Sequence, residues 1–270
     1  MNTGKRMKEL RDFMENEGID LCIITNPLSQ YYISGFKALM YSRPIVLIVS
    51  RDKKSLIIPC LEENHAKDEA DVDNLYVYYE HPEKAYEKKN FLALFDDVLL
   101  DYNMNNSIGI EFNSINLEMT NLLKSKGFGL KYIGKKIQRM RFIKDENEIE
   151  YLVRSGELVS YALAKSFEKA QEGISELEFD SYGTKKLYEQ ISIKYPNATA
   201  SELLVMSPSG IYRTNMPHVF SNTRKFQRND IVIHSRQAGI YDYHAECERT
   251  FFIGEPSDDQ RKIFNVMVEA

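Results

Sequence analysis

The stretch from Asn229 to Gly254, NDIVIHSRQAGIYDYHAECERTFFIG, constrains this chain more than any other. It predicts two β-strands. The first, Ile231 to Ser235, is apolar and β-branched; a turn follows near Ala238-Gly239, and the second strand runs from Tyr241 to Ile253. Side chains alternate along a strand, so His244, Glu246, Glu248 and Thr250 share one face, while Ala245, Cys247, Arg249 and Phe251 share the other. Two carboxylates and an imidazole on one face are costly to bury without partners. A solvated edge strand would hold them without that penalty. The flanking runs IVI and TFFI favour a core strand, and with it a polar site inside the fold.

Upstream, strands alternate with helices. Lys5 to Glu17 has Met7, Leu10, Phe13 and Met14 at helical spacing, and Gly18 ends it. IDLCIIT is a strand covered on both faces, NPLSQYYISGF a loop, and PIVLIVS with SLIIPC a hairpin. Short helices over 61–70, 90–100 and 117–126 and strands over 75–79 and 107–112 complete a small α/β domain, residues 1–138. KKIQRMR reads as a solvated linker. Asp145 and Glu148 form a capping pair for a long amphipathic helix to Ala170, and a second helix spans 175–194. A turn-rich stretch then leads to the strand pair, and a helix starting at Ser257 is still running at Ala270. The second domain, 139–270, is therefore expected to be incomplete.

The 270 residues suffice for two ordinary domains, and 43% hydrophobic with 28% charged residues is ordinary for a globular protein. A formal net charge of −5 argues against nucleic acid or an anionic membrane as the main partner. No apolar run approaches the ~20 residues that span a bilayer, and the N-terminus lacks a signal-peptide core. Cys22, Cys60 and Cys247 stand far apart, as small hydrophobes in a reducing cytoplasm and not as a disulfide frame or zinc site.

Five segments together resemble the creatinase/prolidase/aminopeptidase P family: GIDLCIITNPLSQYYISGF, RPIVLIV, RMRFIKDENEIEYL, Pro217-His218 before RKFQRNDIVI, and ECERTFFIG. The resemblance implies an α/β N-terminal domain of creatinase/prolidase type, plus the first part of an α+β pita-bread catalytic domain. The family's metal-dependent peptidases have an aspartate on the first strand and another eleven residues later, positions held here by Ser235 and Glu246. A serine hydroxyl is a poor substitute for a carboxylate ligand. Glu-Arg-Thr at 248–250, with His218 thirty residues before Glu248, is similar to the family's metal-free creatinase branch.

That likeness implies a metal-independent hydrolase of a C–N bond in a small guanidino or related nitrogen-rich carboxylate. His218 and Glu248 would be catalytic. Tyr41 and Arg43 would hold the substrate carboxylate, with Glu246, Tyr243 and Arg249 as further substrate contacts. No metal and no cofactor are expected, and a cytoplasmic homodimer is. One imidazole near pH 7 can both activate water and protonate a leaving nitrogen, and carboxylates can bind a planar guanidinium bidentately. Two alternatives stand beside this reading. One is an Xaa-Pro aminopeptidase or dipeptidase whose Mn²⁺ or Zn²⁺ is held by Glu246 and later residues. The other is a truncated, non-catalytic member that dimerises or binds a ligand.

Overall fold

A computed structural model describes residues 3–37, 39, 43–80, 90–102, 107–216 and 218–270. The chain forms two compact units, Met1–Ile143 and Lys144–Ala270.

In the first unit, α1 (Thr3–Glu17) buries Met7, Leu10 and Met14, the stripe its sequence spacing predicts. β1 (Ile19–Ile24) follows, then the expected antiparallel hairpin of β2 (Val46–Ser50) and β3 (Lys54–Pro59). α3 (Glu63–Glu69), β4 (Asn74–Tyr78), α4 (Phe91–Leu100), β5 (Ser107–Ile110) and α5 (Leu117–Ser125) continue the alternation. β6 (Gly129–Tyr132), which no sequence pattern predicts, adds an edge strand. The sheet order is β4-β3-β2-β1-β5-β6. Both faces are covered, so neighbouring residues of β1 enter different cores. Cys22 and Ile24 join Leu10 and Leu47; Leu21 and Ile23 join Ile48 and Phe95.

Two segments of this unit differ from expectation. The supposed loop NPLSQYYISGF contains α2 (Pro27–Ser34). Asn26 caps it, accepting from Leu28 N at 3.0 Å and Ser29 N at 3.2 Å; Pro27 opens the first turn, and Gly35 closes it at φ 74. Burial of Tyr32 and Ile33 outweighs the modest helix propensity of the aromatic residues. The basic run KKIQRMR lies within α6 (Gly134–Phe142) and is no linker. Ile137 and Met140 are buried in the first core, leaving the charges on the outer side.

The second unit begins with α7 (Glu146–Ser166). Its predicted capping box is in place: Glu148 N donates to Asp145 at 2.9 Å and Asp145 N to Glu148 at 2.8 Å. α8 (Glu176–Lys194) has a second box, from Ser175 and Glu178. The two helices share a core with one face of an antiparallel sheet, β7 (Ala200–Met206), β8 (Ile231–Ile240) and β9 (Tyr243–Phe252), in that order. β7 occupies part of the stretch expected to be turn-rich. The β8–β9 turn falls later than predicted, at Tyr241-Asp242, with φ 52 and 60. Positive φ at both central residues marks the hairpin turn whose twist matches its strands. Gly239 stays in the ladder, where a Cβ would lie 2.0 Å from Tyr243 O. α9 (Asp258–Glu269) ends the chain, with no buried residue.

Candidate active site

Strand register defines the site. Ser235 stands opposite Glu248, Gln237 opposite Glu246, Ile233 opposite Thr250 and Gly239 opposite His244. These residues share one face of the sheet. Val232, His234, Arg236 and Ala238 turn to the other, against the helices. Glu246 and Glu248 are exposed, while Ser235 is fully buried. Ser235 Oγ donates to Glu246 Oε1 at 3.3 Å, and Gln237 Nε2 to Glu246 Oε2 at 3.4 Å. His244 Nε2 lies 2.7 Å from Ser201 Oγ of β7. Two exposed carboxylates two residues apart make this face a place for a cation or a cationic group.

The loop bearing His218 leaves the sheet beside this row. Met206, the last residue of β7, pairs with Ser235, which pairs with Glu248. His218 lies in a turn of the following segment, exposed and at φ 57. Pro217 and Tyr41 are outside the described residues. Arg43, in the first unit, is half-exposed and paired with Glu80 at 2.6 Å.

Tyr243 and Arg249 lie on the face of β9 opposite to Glu246 and Glu248. Tyr243 OH donates to Glu148 of α7 at 2.9 Å, and its ring packs on Tyr151. Ser155 Oγ donates to Tyr243 O at 2.6 Å and accepts from Ile240 N at 3.2 Å, which ties the hairpin to α7. Arg249 is exposed, and its guanidinium donates to Glu248 O at 2.6 Å.

Beneath the sheet lies a buried polar network that the sequence reading missed. Arg236 Nε donates to His234 Nε2 at 3.1 Å, so Nε2 is the acceptor and the imidazole proton sits on Nδ1. Nδ1 then donates to Ser207 Oγ at 2.8 Å, and the Ser207 hydroxyl donates to Asp180 Oδ1 at 2.5 Å. Burial, with Arg236 alongside, pushes His234 down to about 3, and burial pushes Asp180 up to about 6. Arg236 also reaches Glu202, Thr184, Ser166 and the Asp180 carbonyl, so its buried charge is paired and hydrogen-bonded. Gly183 makes room for it: a Cβ there would meet Ser166 Oγ at 2.1 Å and Arg236 Nη2 at 2.2 Å. The available signal was the alternation in IVIHSR, where His234 and Arg236 flank Ser235 and so must turn inward.

A six-stranded α/β unit, followed by two capped helices over an antiparallel sheet with an acidic open face, is a creatinase-type N-terminal domain and the start of a pita-bread domain. Residues 6–143 match the creatinase/prolidase N-terminal domain, and residues 150–270 match metallopeptidase family M24. The chain belongs to this creatinase/prolidase–M24 family of hydrolases. It is 26% identical to an Xaa-Pro dipeptidase of Pyrococcus furiosus over 268 residues, which cover 98% of this chain and 70% of that protein. It is 24% identical to a creatinase of a Bacillus species over 265 residues, covering 97% of this chain and 63% of the other. The fold is that of the prolidase from Pyrococcus horikoshii OT3, with a TM-score of 0.81 at 23% identity over 98% of this chain and 70% of that one.

The M24 match corrects the expectation of a site without metal or cofactor, because the family is one of metallopeptidases. The loss of one carboxylate at Ser235 is not a ground for excluding a metal, since Glu246 and Glu248 remain on the same face. The residues present nevertheless do not make a metal centre by themselves. Among the described residues no three His, Cys, Asp or Glu side chains converge as one, and the Ser235 hydroxyl is a neutral donor already directed at Glu246.

Proposed function

We propose that this chain supplies part of the active site of a hydrolase that cleaves Xaa-Pro dipeptides. Its likeness along nearly its whole length to an Xaa-Pro dipeptidase is the observation that carries the reading. In this account His218 handles the proton. Water adds to the scissile carbonyl carbon and passes a proton to the exposed imidazole; proline's amide nitrogen bears no hydrogen, so it takes that proton from the imidazole as the C–N bond breaks. Glu246 and Glu248 face the substrate's ammonium end. Tyr41 and Arg43 meet its carboxylate in a cytoplasmic homodimer, and Arg's planar fork suits that group. Tyr243 acts from behind, by tying β9 to α7 through Glu148 and Tyr151, and Arg249 donates to the Glu248 carbonyl of its own strand.

A second reading keeps the fold and changes the substrate to a small guanidino carboxylate. It is favoured by the pair Glu246 and Glu248 on one face and by the likeness to a creatinase. A direct competition separates the two. The purified protein is incubated with an Xaa-Pro dipeptide and with creatine, under the same range of Mn²⁺ and Zn²⁺ concentrations. Release of proline without release of urea supports the dipeptidase reading; urea without proline overturns it in favour of the second.

A further inference from the structure

Glu176 is the first residue of α8, and its side chain is fully buried. Five hydrogen bonds converge on its carboxylate. Oε1 accepts from Ser209 N at 2.9 Å, Ser209 Oγ at 2.6 Å and Arg213 Nε at 3.2 Å. Oε2 accepts from Arg213 Nη2 at 2.9 Å and Asn222 N at 3.0 Å. All five come from three residues of one segment, 209–222. Arg213 Nη2 also donates to Phe220 O at 2.7 Å, which braces the interior of that segment. The backbone repeats the closure: Leu177 N donates to Asn222 O at 3.3 Å and Glu176 N to Arg224 O at 3.0 Å. Arg224 in turn donates to Ser209 Oγ at 2.5 Å and grips Asp230 with two bonds.

The segment is thus a loop closed at both ends on one buried carboxylate, and His218 lies within it. His218 takes a left-handed φ of 57, an uncommon conformation for a non-glycine residue. A buried carboxylate is tolerated when it is paired and fully hydrogen-bonded. Here every one of those five bonds is spent on fixing the His218 loop. From this geometry we infer that Glu176 is the positioning residue for His218. This inference rests on the acid–base role given to His218 above. Glu176 acts through the loop. Its carboxylate sets where the imidazole stands, and Arg213 transmits that constraint to Phe220, two residues beyond His218.

The inference predicts how the loop responds when the carboxylate is altered. Glu176→Gln keeps the shape but removes the charge, and it sets an NH₂ group against a backbone N–H. A misplacement of about 1 Å can cost ~10²-fold in rate, so Glu176→Gln is expected to lower kcat on an Xaa-Pro dipeptide by ~10–10²-fold. KM should change less than threefold, on the order of a minor loss of uniform binding. The His218 imidazole resonance should shift and broaden, and the Ser209 and Asn222 amides should exchange faster. Arg213→Met, which alters the loop side only, should reproduce these effects more weakly, and it decides the matter if Glu176→Gln does not fold. If His218→Ala abolishes turnover while folded Glu176→Gln or Arg213→Met keeps kcat, the His218 resonance and amide protection unchanged, Glu176 is not the positioning residue. If His218→Ala leaves turnover intact, the functional reading itself has failed.

Discussion

Ser235 and Glu246 lie diagonally across the β8–β9 ladder, joined by a 3.3 Å hydrogen bond from hydroxyl to carboxylate. Affinity for a hard divalent cation rises with the number of charged ligands. Ser235→Asp should therefore raise the Mn²⁺ affinity of the protein by at least ~10-fold, measured by titration calorimetry. Three carboxylates without a cation repel one another, so the metal-free variant should melt below the wild type and recover when Mn²⁺ is added. Unchanged affinity and an unchanged melting temperature would mean that residue 235 does not face Glu246 as described.

Gly183 and Arg236 make a second testable pair. Alanine is favoured over glycine inside a helix by about 1 kcal/mol, so propensity alone predicts that Gly183→Ala stabilises α8. The guanidinium in its path predicts the reverse, a loss of about 2 kcal/mol or more from overpacking. Urea denaturation decides between them; a variant more stable than the wild type would remove Arg236 from its assigned place.

His234 and Asp180 set an opposed pair of pH dependences. The His234 pKa falls from 6.5 to about 3 on folding, so its contribution to stability is present above pH 6.5 and lost as the pH drops towards 3. The Asp180 pKa rises from 3.8 to about 6, so its contribution is present below pH 3.8 and lost as the pH rises through 6. Between these limits the two oppose each other. Asp180→Asn removes the second, and its urea midpoint should fall more steeply than the wild type's on acidification from pH 6 to about 4. Parallel profiles would contradict the assignment.

What could be read from the sequence was local. The Asp145–Glu148 capping box and the two faces of the 243–252 strand depend on residues within a few positions of one another, and both were legible. Helix α2 was hidden because its stability comes from burying Tyr32 and Ile33 in a core built by distant strands. In α6 the abundance of lysine and arginine obscured Ile137 and Met140, the residues that define its inner face. Arg236 and Glu176 were illegible as a pair of anchors for the same reason. Arg236 draws its partners from α7, α8 and β7, and Glu176 draws its own from residues 209–222, far along the chain. Ser235 alone does not reveal whether the site takes a metal, because one strand position is only part of a ligand set drawn from the whole domain.

Glu248 tests the acidic face directly. Glu248→Gln keeps the size and removes the charge, so a ligand with a positive group should bind at least ~10-fold more weakly, the scale of a lost charge-assisted hydrogen bond. Calorimetric titration with an Xaa-Pro dipeptide, at a pH where its amine is protonated, measures this. Equal affinity in variant and wild type would take Glu248 out of the site.

His218 is the residue proposed to carry the proton in this hydrolase. The most direct measurement is the steady-state release of proline from an Xaa-Pro dipeptide by the wild type and by folded His218→Ala. Turnover by the wild type is expected, with kcat lower by at least ~10²-fold in the variant and KM little changed. Proline release at an undiminished rate in His218→Ala, or none from the wild type assayed with Mn²⁺ or Zn²⁺ present, would overturn that role.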